Sequence, residues 1–529
     1  MFIEPIRKEL VPSAETKKVF IFWVLLAYIA FEITGILFHP LWRDEMHAWL
    51  IAGASSSLSD LLQRKAVEGH PDLWYIILYA VRSLSDDPFS MQLLHSGIAI
   101  LTVFLILKYA PFTRIQRVLL VFGYFYIFEY AMISRNYAIG ILLITIFLSL
   151  YRQQKRFILL KALTLFFLAQ TNVYGLILCN AFLMTWIFEF SFSSSFRNVS
   201  LKQKATLIIG IILIIAGMVY SISSIIPPPS GYFAGASHFL LSKLTLRGFI
   251  RGISTVWMAW VPIPVLNLQF WNTNFVRDQM IQAILALVLI YSAGLLFIKR
   301  PVVLFLFITG LIGIIFFILM YYFGYIRHHG HLYILLISCL WLSNIYPENN
   351  YVFRFDYIEK FYKWLKGNFD RLFSILLFIH CLAGIYAFSV QLFIPFSAAK
   401  ITAQYIRQQK LDRFLIAGDE DVSLEPIAGY LNKQVFFFSR NAFSTYLIYD
   451  KLRRIPDEST VLVMADSLLK ANGDTILLVT NYPLKKNPWL SPRKIQSFES
   501  SIRWDEIYFL YLLSPSENQS FLSIPCRRN

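Results

Sequence analysis

Leu41-Trp42-Arg43-Asp44-Glu45-Met46-His47-Ala48-Trp49 comes directly after the apolar run Val19 to Phe38 and its His39-Pro40 exit. The run contains one charged residue, Glu32, and has the roughly 20 residues that a helix needs to cross a bilayer. Arg7, Lys8, Lys17 and Lys18 precede it. It is longer than a signal-peptide core and lacks a small-residue cleavage site, so it reads as an uncleaved first span. Adjacent carboxylates at a membrane boundary are costly unless hydrated, paired or metal-bound. The stretch therefore points to a membrane protein with a polar site at the end of its first span.

Similar runs recur outward from it, near 89–107, 118–132, 137–150, 157–169, 175–190, 205–226, 279–298, 301–323, 332–346 and 372–395. That makes eleven spans. Over 529 residues the chain is 57% hydrophobic, 17% aromatic and 15% charged, where a soluble chain carries about 25% charge. Soluble enzyme, secreted disulfide scaffold and disordered chain are thereby excluded. The four cysteines form no CxxC pair. A net charge of +16 does not indicate nucleic acid here, because polytopic proteins concentrate Lys and Arg in cytoplasmic loops facing anionic lipid. With the N-terminus inside, the proposed cytoplasmic pieces hold 20 Lys+Arg in 78 residues and the opposite loops 10 in 118. That threefold contrast has the sign the positive-inside rule requires. It predicts a multi-pass plasma (inner) membrane protein with everything after Phe396 outside the cytoplasm.

Two outer loops are long, 41–88 and 227–278. In the first, Leu58, Leu61 and Leu62 share a helical face suited to the membrane surface. The second opens with Pro227-Pro228-Pro229 and holds Trp257, Trp260 and Trp271, expected as interfacial anchors. Lys161 and Glu189 are expected to snorkel. From Lys400 the composition turns soluble. Strand-like Arg413–Ala417, Gln434–Phe438 and Thr475–Thr480 alternate with helix-like Leu424–Leu431 and Ser459–Ala471, with Asp419, Glu420 and Asp421 in a turn. The expectation is a mainly α polytopic domain over 1–398 and a small α/β domain over 399–529, without a Gly-rich phosphate loop.

The chemistry-bearing residues gather at one side of this layout. Seven of nine histidines, among them His238, fall on the outer side, with Asp44, Glu45, Arg135, Tyr137, Asn172, Tyr174 and Arg327. Such placement suggests one polar cavity opening outward. Asp44 or Glu45 suits a general base on a hydroxyl; the alternative is a solvated loop with an Arg43–Asp44 surface pair. In Glu68-Gly69-His70-Pro71-Asp72, Pro71 can open a helix with His70 at its cap. Asp44, Glu45 and His70 are candidate ligands for a divalent metal cofactor of unreadable identity; taken alone, His70 suits ordinary hydrogen bonding. Arg135 lies at an outer turn, where an ionisable residue is a functional candidate or a snorkeller. In Arg327-His328-His329-Gly330-His331, Arg327 with one histidine suits an anion site, because guanidinium binds phosphate oxygens bidentately. A histidine zinc site is the alternative there.

The order of motifs carries a resemblance. Asp44-Glu45 after span one, then Gly69-His70-Pro71 before Leu73-Trp74-Tyr75, then Arg135-Asn136-Tyr137-Ala138 resembles the GT-C superfamily of integral-membrane glycosyltransferases. The nearest branch holds protein O-mannosyltransferases and lipid A aminoarabinose transferases, many with a similar C-terminal domain. The sequence departs from the pattern at Met46-His47, at Tyr137 after Asn136, and at Arg327-His328-His329-Gly330. The resemblance implies a transferase acting outside the membrane on a polyprenyl-phosphate-linked sugar donor, with inversion at the anomeric carbon. It maps the base to Asp44 with Glu45 beside it. The donor phosphate and sugar would then fall to His70, Arg135, Tyr137, Asn172, Tyr174, Arg327, His328 and His329. The acceptor, whether protein, lipid or glycan, is not specified, and membrane lipids are the other partners. The rival classes are a lipid-linked glycan flippase or transporter and a non-catalytic assembly subunit. No fixed-period repeat favours the transporter.

Overall fold

The computed structural model describes residues 14–151, 157–192, 200–232, 245–418, 421–485 and 492–515. Arg7, Lys8, His238, Asp419, Glu420 and Cys526 lie outside the described residues. The helical part runs α1 (Ala14–Phe38), α2 (Arg43–Ala54), α3 (Leu58–Lys65), α4 (Leu73–Arg82), α5 (Phe89–Tyr109), α6 (Arg114–Val121), α7 (Tyr137–Tyr151), α8 (Ile158–Ala169), α9 (Val173–Phe192), α10 (Leu201–Ile225), α11 (Leu246–Trp260), α12 (Gln279–Phe297), α13 (Pro301–Met320), α14 (Ile326–Ser343), α15 (Asp356–Gly367) and α16 (Phe369–Phe393). Among the described residues, α1, α5, α9, α10, α12, α13 and α16 are each long and apolar enough to cross a membrane. The expected spans on α7, α8 and α14 are also helical. α14 is buried from Ile326 to Leu342. A helix enclosed on all sides forms the middle of a bundle.

The run at 118–132 is not one helix. α6 stops at Val121, and Phe125–Glu129 forms a π-helical turn closed by Tyr130 N–H donating to the Phe125 carbonyl at 2.9 Å. Gly123 marks the break: a Cβ there would sit 3.1 Å from that of His380 on α16, tighter than an ordinary contact. The wider turn lets the Tyr124 hydroxyl donate to the Glu129 carboxylate at 2.9 Å, five residues on. Such turns are frequent at functional sites.

The 227–278 segment contains an unexpected helix, α11, whose end is deep in the bundle. The Trp260 indole donates to the Leu332 carbonyl at 3.0 Å, and the Trp260 carbonyl meets His380 Nε2 at 2.9 Å. Trp260 and Trp271 are thus buried core residues, not interfacial anchors. Arg247, Arg251, glycine and hydroxyl residues dilute the hydropathy of α11, which hid it among loop residues. Lys161 and Glu189 are likewise buried: Glu189 accepts from Tyr151 at 2.7 Å, and Lys161 lies over the Trp186 ring at 5.7 Å.

The soluble part comprises α17 (Ala399–Gln408), β1 (Leu415–Gly418), α18 (Asp421–Leu431), β2 (Val435–Phe437), β3 (Ala442–Ser444), α19 (Glu458–Asn472), β4 (Ile476–Thr480), β5 (Arg493–Phe498) and β6 (Tyr508–Leu513). Its sheet has the order β3-β2-β1-β4-β6-β5, with β2, β1 and β4 parallel and the outer pairings antiparallel. The short β3 and the late strands β5 and β6 escaped the sequence reading. α18 packs directly on α2; a Cβ on Gly429 would overlap the Met46 side chain, which would have to move.

Candidate active site

α2 opens at Arg43, so Asp44 and Glu45 fall in its first turn, where carboxylates favour the helix dipole. Their side chains then diverge. Glu45 is fully buried, and its carboxylate accepts from Ser134 N–H at 2.5 Å, Trp42 N–H at 3.1 Å and His39 at 3.0 Å. It ties the start of α2 to the end of α1 and to the 130–136 turn. Asp44 keeps 27% side-chain exposure and accepts from Arg327 Nη2 at 3.0 Å. Arg135 Nη1 donates to the Asp44 backbone carbonyl. Burial alone would raise the Asp44 pKa, but Arg327, Arg135, Arg43 and Arg503 together hold it down to about 2.

The two arginines reach Asp44 from different elements. Arg135 lies on the turn before α7, and His95 on α5 braces that turn, with Nδ1 2.8 Å from the Ala131 carbonyl and Nε2 3.2 Å from that of Arg135. Arg327 lies in the first turn of α14, flanked by the rings of Trp42 and Trp271 at 5.3 and 5.5 Å. The Trp271 indole donates to Glu129 at 3.0 Å, linking this platform to the π-turn.

Neutral rings adjoin the arginines. His328 Nδ1 accepts from Tyr325 N–H at 2.8 Å, which puts the ring proton on Nε2, 2.8 Å from the Tyr137 hydroxyl. The Tyr137 hydroxyl hydrogen is then free to donate elsewhere. Tyr174 stacks on His331 with centroids 5.1 Å apart, and its buried hydroxyl has no partner. His70 follows Gly69, whose φ of +69° suits glycine. Pro71 precedes α4 by two residues instead of opening it, and buried Lys65 secures the loop by donating to the His70 carbonyl at 2.8 Å and pairing with Asp72. Burial, then Arg135, lower the His70 pKa to about 3, so its ring is neutral, with Nδ1 unpartnered.

Asp44, His70, Arg135, Tyr137, Tyr174, Arg327 and His328 are thus brought into one neighbourhood, while Glu45, Asn172 and His329 are used elsewhere. Asn172 caps α9 by accepting from Gly175 N–H at 2.9 Å. His329 turns away to the Phe323 carbonyl at 2.8 Å. Among the described residues no three His, Cys, Asp or Glu side chains gather as metal ligands. With the Glu45 oxygens occupied by Ser134, Trp42 and His39, the set Asp44, Glu45 and His70 does not fit a metal. Sequence reasoning passed over Arg503 altogether. Trp42 and Arg43 stood inside the opening stretch, but nothing local marked them as part of the site.

No sequence profile of a protein family matches the chain, and no curated protein matches it either. Its structure is similar to that of ArnT from Cupriavidus metallidurans, solved bound to undecaprenyl phosphate, with a TM-score of 0.52 and 11% identity over 95% of this chain and 99% of that one. The chain thus has an ArnT-like fold. In this chain the segment that follows α1 meets the soluble part directly. Leu41 N–H donates to Tyr430 at 2.7 Å, and Arg43 Nη2 to Asp505 at 2.7 Å. The likeness, at this identity, is one of fold.

Proposed function

We propose that the chain is an inverting glycosyltransferase of the membrane's outer face. It moves a sugar from a polyprenyl-phosphate donor to an acceptor hydroxyl, with Asp44 as general base. The observation that carries this reading is a single partly exposed carboxylate, Asp44, held ionised among arginines that have N–H groups to spare. Arg327 Nε and Nη1 and Arg135 Nε are buried without acceptors. Buried donors almost always find one, so an anion from outside would complete them.

In the reaction the acceptor O–H gives its proton to Asp44 as its oxygen attacks the anomeric carbon. The bond from that carbon to the phosphate oxygen breaks, and polyprenyl phosphate leaves with the electron pair. Arg327 and Arg135 offset the charge growing on the phosphate, the electrostatic contribution that usually dominates. The Tyr137 and Tyr174 hydroxyls supply neutral donors for sugar oxygens. Without donor, Arg327 holds Asp44 too acidic to be an effective base. A bound phosphate competes for Arg327 and raises the basicity of Asp44 when it is needed. The orientation, N-terminus in the cytoplasm and soluble domain outside, is supported by the Lys and Arg contrast between loops.

The test is purification of Asp44→Asn in mild detergent, with native mass spectrometry of the lipid it retains and a transfer assay. Turnover is expected to fall by orders of magnitude while a polyprenyl-phosphate-sugar stays bound. Retention of a tenth of the activity would exclude Asp44 as base. A diphosphate-linked oligosaccharide on the protein would instead favour the flippase class, and bulk phospholipid alone would count against the donor.

A further inference from the structure

Arg503 belongs to the soluble domain, in the turn between β5 and β6, yet its guanidinium lies against the membrane domain's tryptophan pair. Its Cζ is 5.3 Å from the Trp42 centroid and 5.3 Å from that of Trp271. These are the two rings that flank Arg327, within the distance at which a cation is attracted to an aromatic face. The backbone delivers Arg503 there independently of its side chain. Ile502 and Arg503 N–H groups donate to the Pro395 and Phe396 carbonyls at 3.0 Å each, and Ser501 Oγ to Phe396 at 2.8 Å. Asp505 aims the side chain, accepting from Arg503 Nη2 at 2.5 Å and from Arg43 Nη2 at 2.7 Å.

Arg503 and Arg327 are 9% and 6% exposed. Arg503 Nε, both Arg327 Nε and Nη1, and the Trp42 indole N–H have no acceptor. Four arginines act on Asp44, against which the soluble domain brings, among the described residues, Asp505 and Glu506. Asp44 and Asp505 each accept from one Nη2 of this pair, which leaves Arg503 Nε and Arg327 Nε and Nη1 in need of a further acceptor. A phosphoryl group suits that need, since its several oxygens accept from forks approaching from different sides.

We propose that Arg503 is an anion-binding residue of this site, gripping with Arg327 the phosphoryl group of a phosphate monoester, so that the soluble domain completes the donor site. The inference rests on the donor reading above and deepens it. It makes the soluble domain a part of the binding machinery, in addition to its role as a cover for the first outer loop.

The experiment compares the full-length protein with Arg503→Met, which keeps an apolar stem on the rings, and Arg503→Lys, which keeps the charge without the fork. Binding of undecaprenyl phosphate, of undecaprenol and of inorganic phosphate is measured in lipid nanodiscs, with thermal unfolding alongside. Arg503→Met is expected to weaken undecaprenyl phosphate by about ten- to a hundredfold, the usual effect of losing a charge-assisted contact. Undecaprenol binding and the unfolding midpoint stay as in the wild type, and Arg503→Lys falls between. Equal undecaprenyl phosphate binding by wild type and Arg503→Met overturns the inference and leaves the donor reading intact. A wild type indifferent to the lipid's phosphate defeats the donor reading itself. If inorganic phosphate binds to the wild type without the lipid and is lost in Arg503→Met, Arg503 keeps its role and the occupant is a free anion. Should Arg503→Met not fold, Arg503→Lys decides by the same comparison.

Discussion

At neutral pH Asp44 carries its charge among Arg327, Arg135, Arg43 and Arg503. In the proposed mechanism its role follows from how that environment changes when donor arrives. Asp44 is charged above its pKa and loses its charge as pH falls through it, so without donor the proposed base stays ionised far into acid. A phosphate that draws Arg327 away removes the largest of the charge effects holding the pKa near 2. The acid limb of kcat, which reports the donor complex, is therefore expected at higher pH than the acid limb of kcat/KM, which reports the free enzyme. Coincident limbs in a pH–rate study would rule out the exchange of Arg327 between Asp44 and phosphate. The same residue scale shows what local sequence can convey. An acid after the first span was legible for Asp44. The opposite fates of Asp44 and Glu45 were not, because one helical step of about 100° turns one toward the arginines and the other into the packed turn at Ser134.

At the scale of elements, α14 and the π-turn depend on each other. Gly330 lies between His329 and His331, and a Cβ there would overlap the Tyr130 hydroxyl and the Phe125 ring. Tyr130 in turn donates to the Arg327 carbonyl at 2.7 Å, so crowding at Gly330 is transmitted to the start of α14. Gly330→Ala is expected to destabilise the fold by about 1–3 kcal/mol, the usual cost of overpacking a filled core. It should also reduce donor affinity. Thermal unfolding and donor binding check this, and a variant matching the wild type in both would show that α14 yields without disturbing the site. Ten of the eleven expected spans are helical, seven of them among the described residues long and apolar enough to cross a membrane, because continuous apolar runs are a strong signal. The break at 121–129 and the burial of α11 were not legible, since both depend on which neighbours approach Gly123 and Trp260.

Over the whole molecule the soluble domain is latched to the 41–88 segment by His47. Its Nδ1 is 2.7 Å from Glu425 on α18 and its Nε2 2.6 Å from Glu68. Burial opposes protonation, but Glu425 and then Glu68 outweigh it and raise the His47 pKa well above 6.5. The folded pKa exceeds the unfolded one, so the stabilisation is complete below about pH 6.5 and is lost as pH rises through the folded value. Domain docking is expected to loosen on the alkaline side, seen as a falling thermal midpoint and faster hydrogen exchange in α18. His47→Ala leaves two buried carboxylates facing each other and should cost about 3–5 kcal/mol near neutral pH. It should also flatten the alkaline decline; an unchanged decline would place the titrating group elsewhere.

The amino-acid sequence by itself determined that this is a polytopic helical protein with a small α/β tail and a pair of carboxylates after the first span. Those properties follow from local composition: apolar length decides what enters a bilayer, and alternation of short apolar runs decides a small sheet. Only the tertiary structure decided which charges meet. Arg43 and Asp505 stand 462 residues apart in the chain and touch in the fold. Arg327 and Arg503 share two tryptophan rings that come from separate loops. Charge pairing depends on distances of a few ångströms between distant segments, and no local pattern of residues encodes such distances.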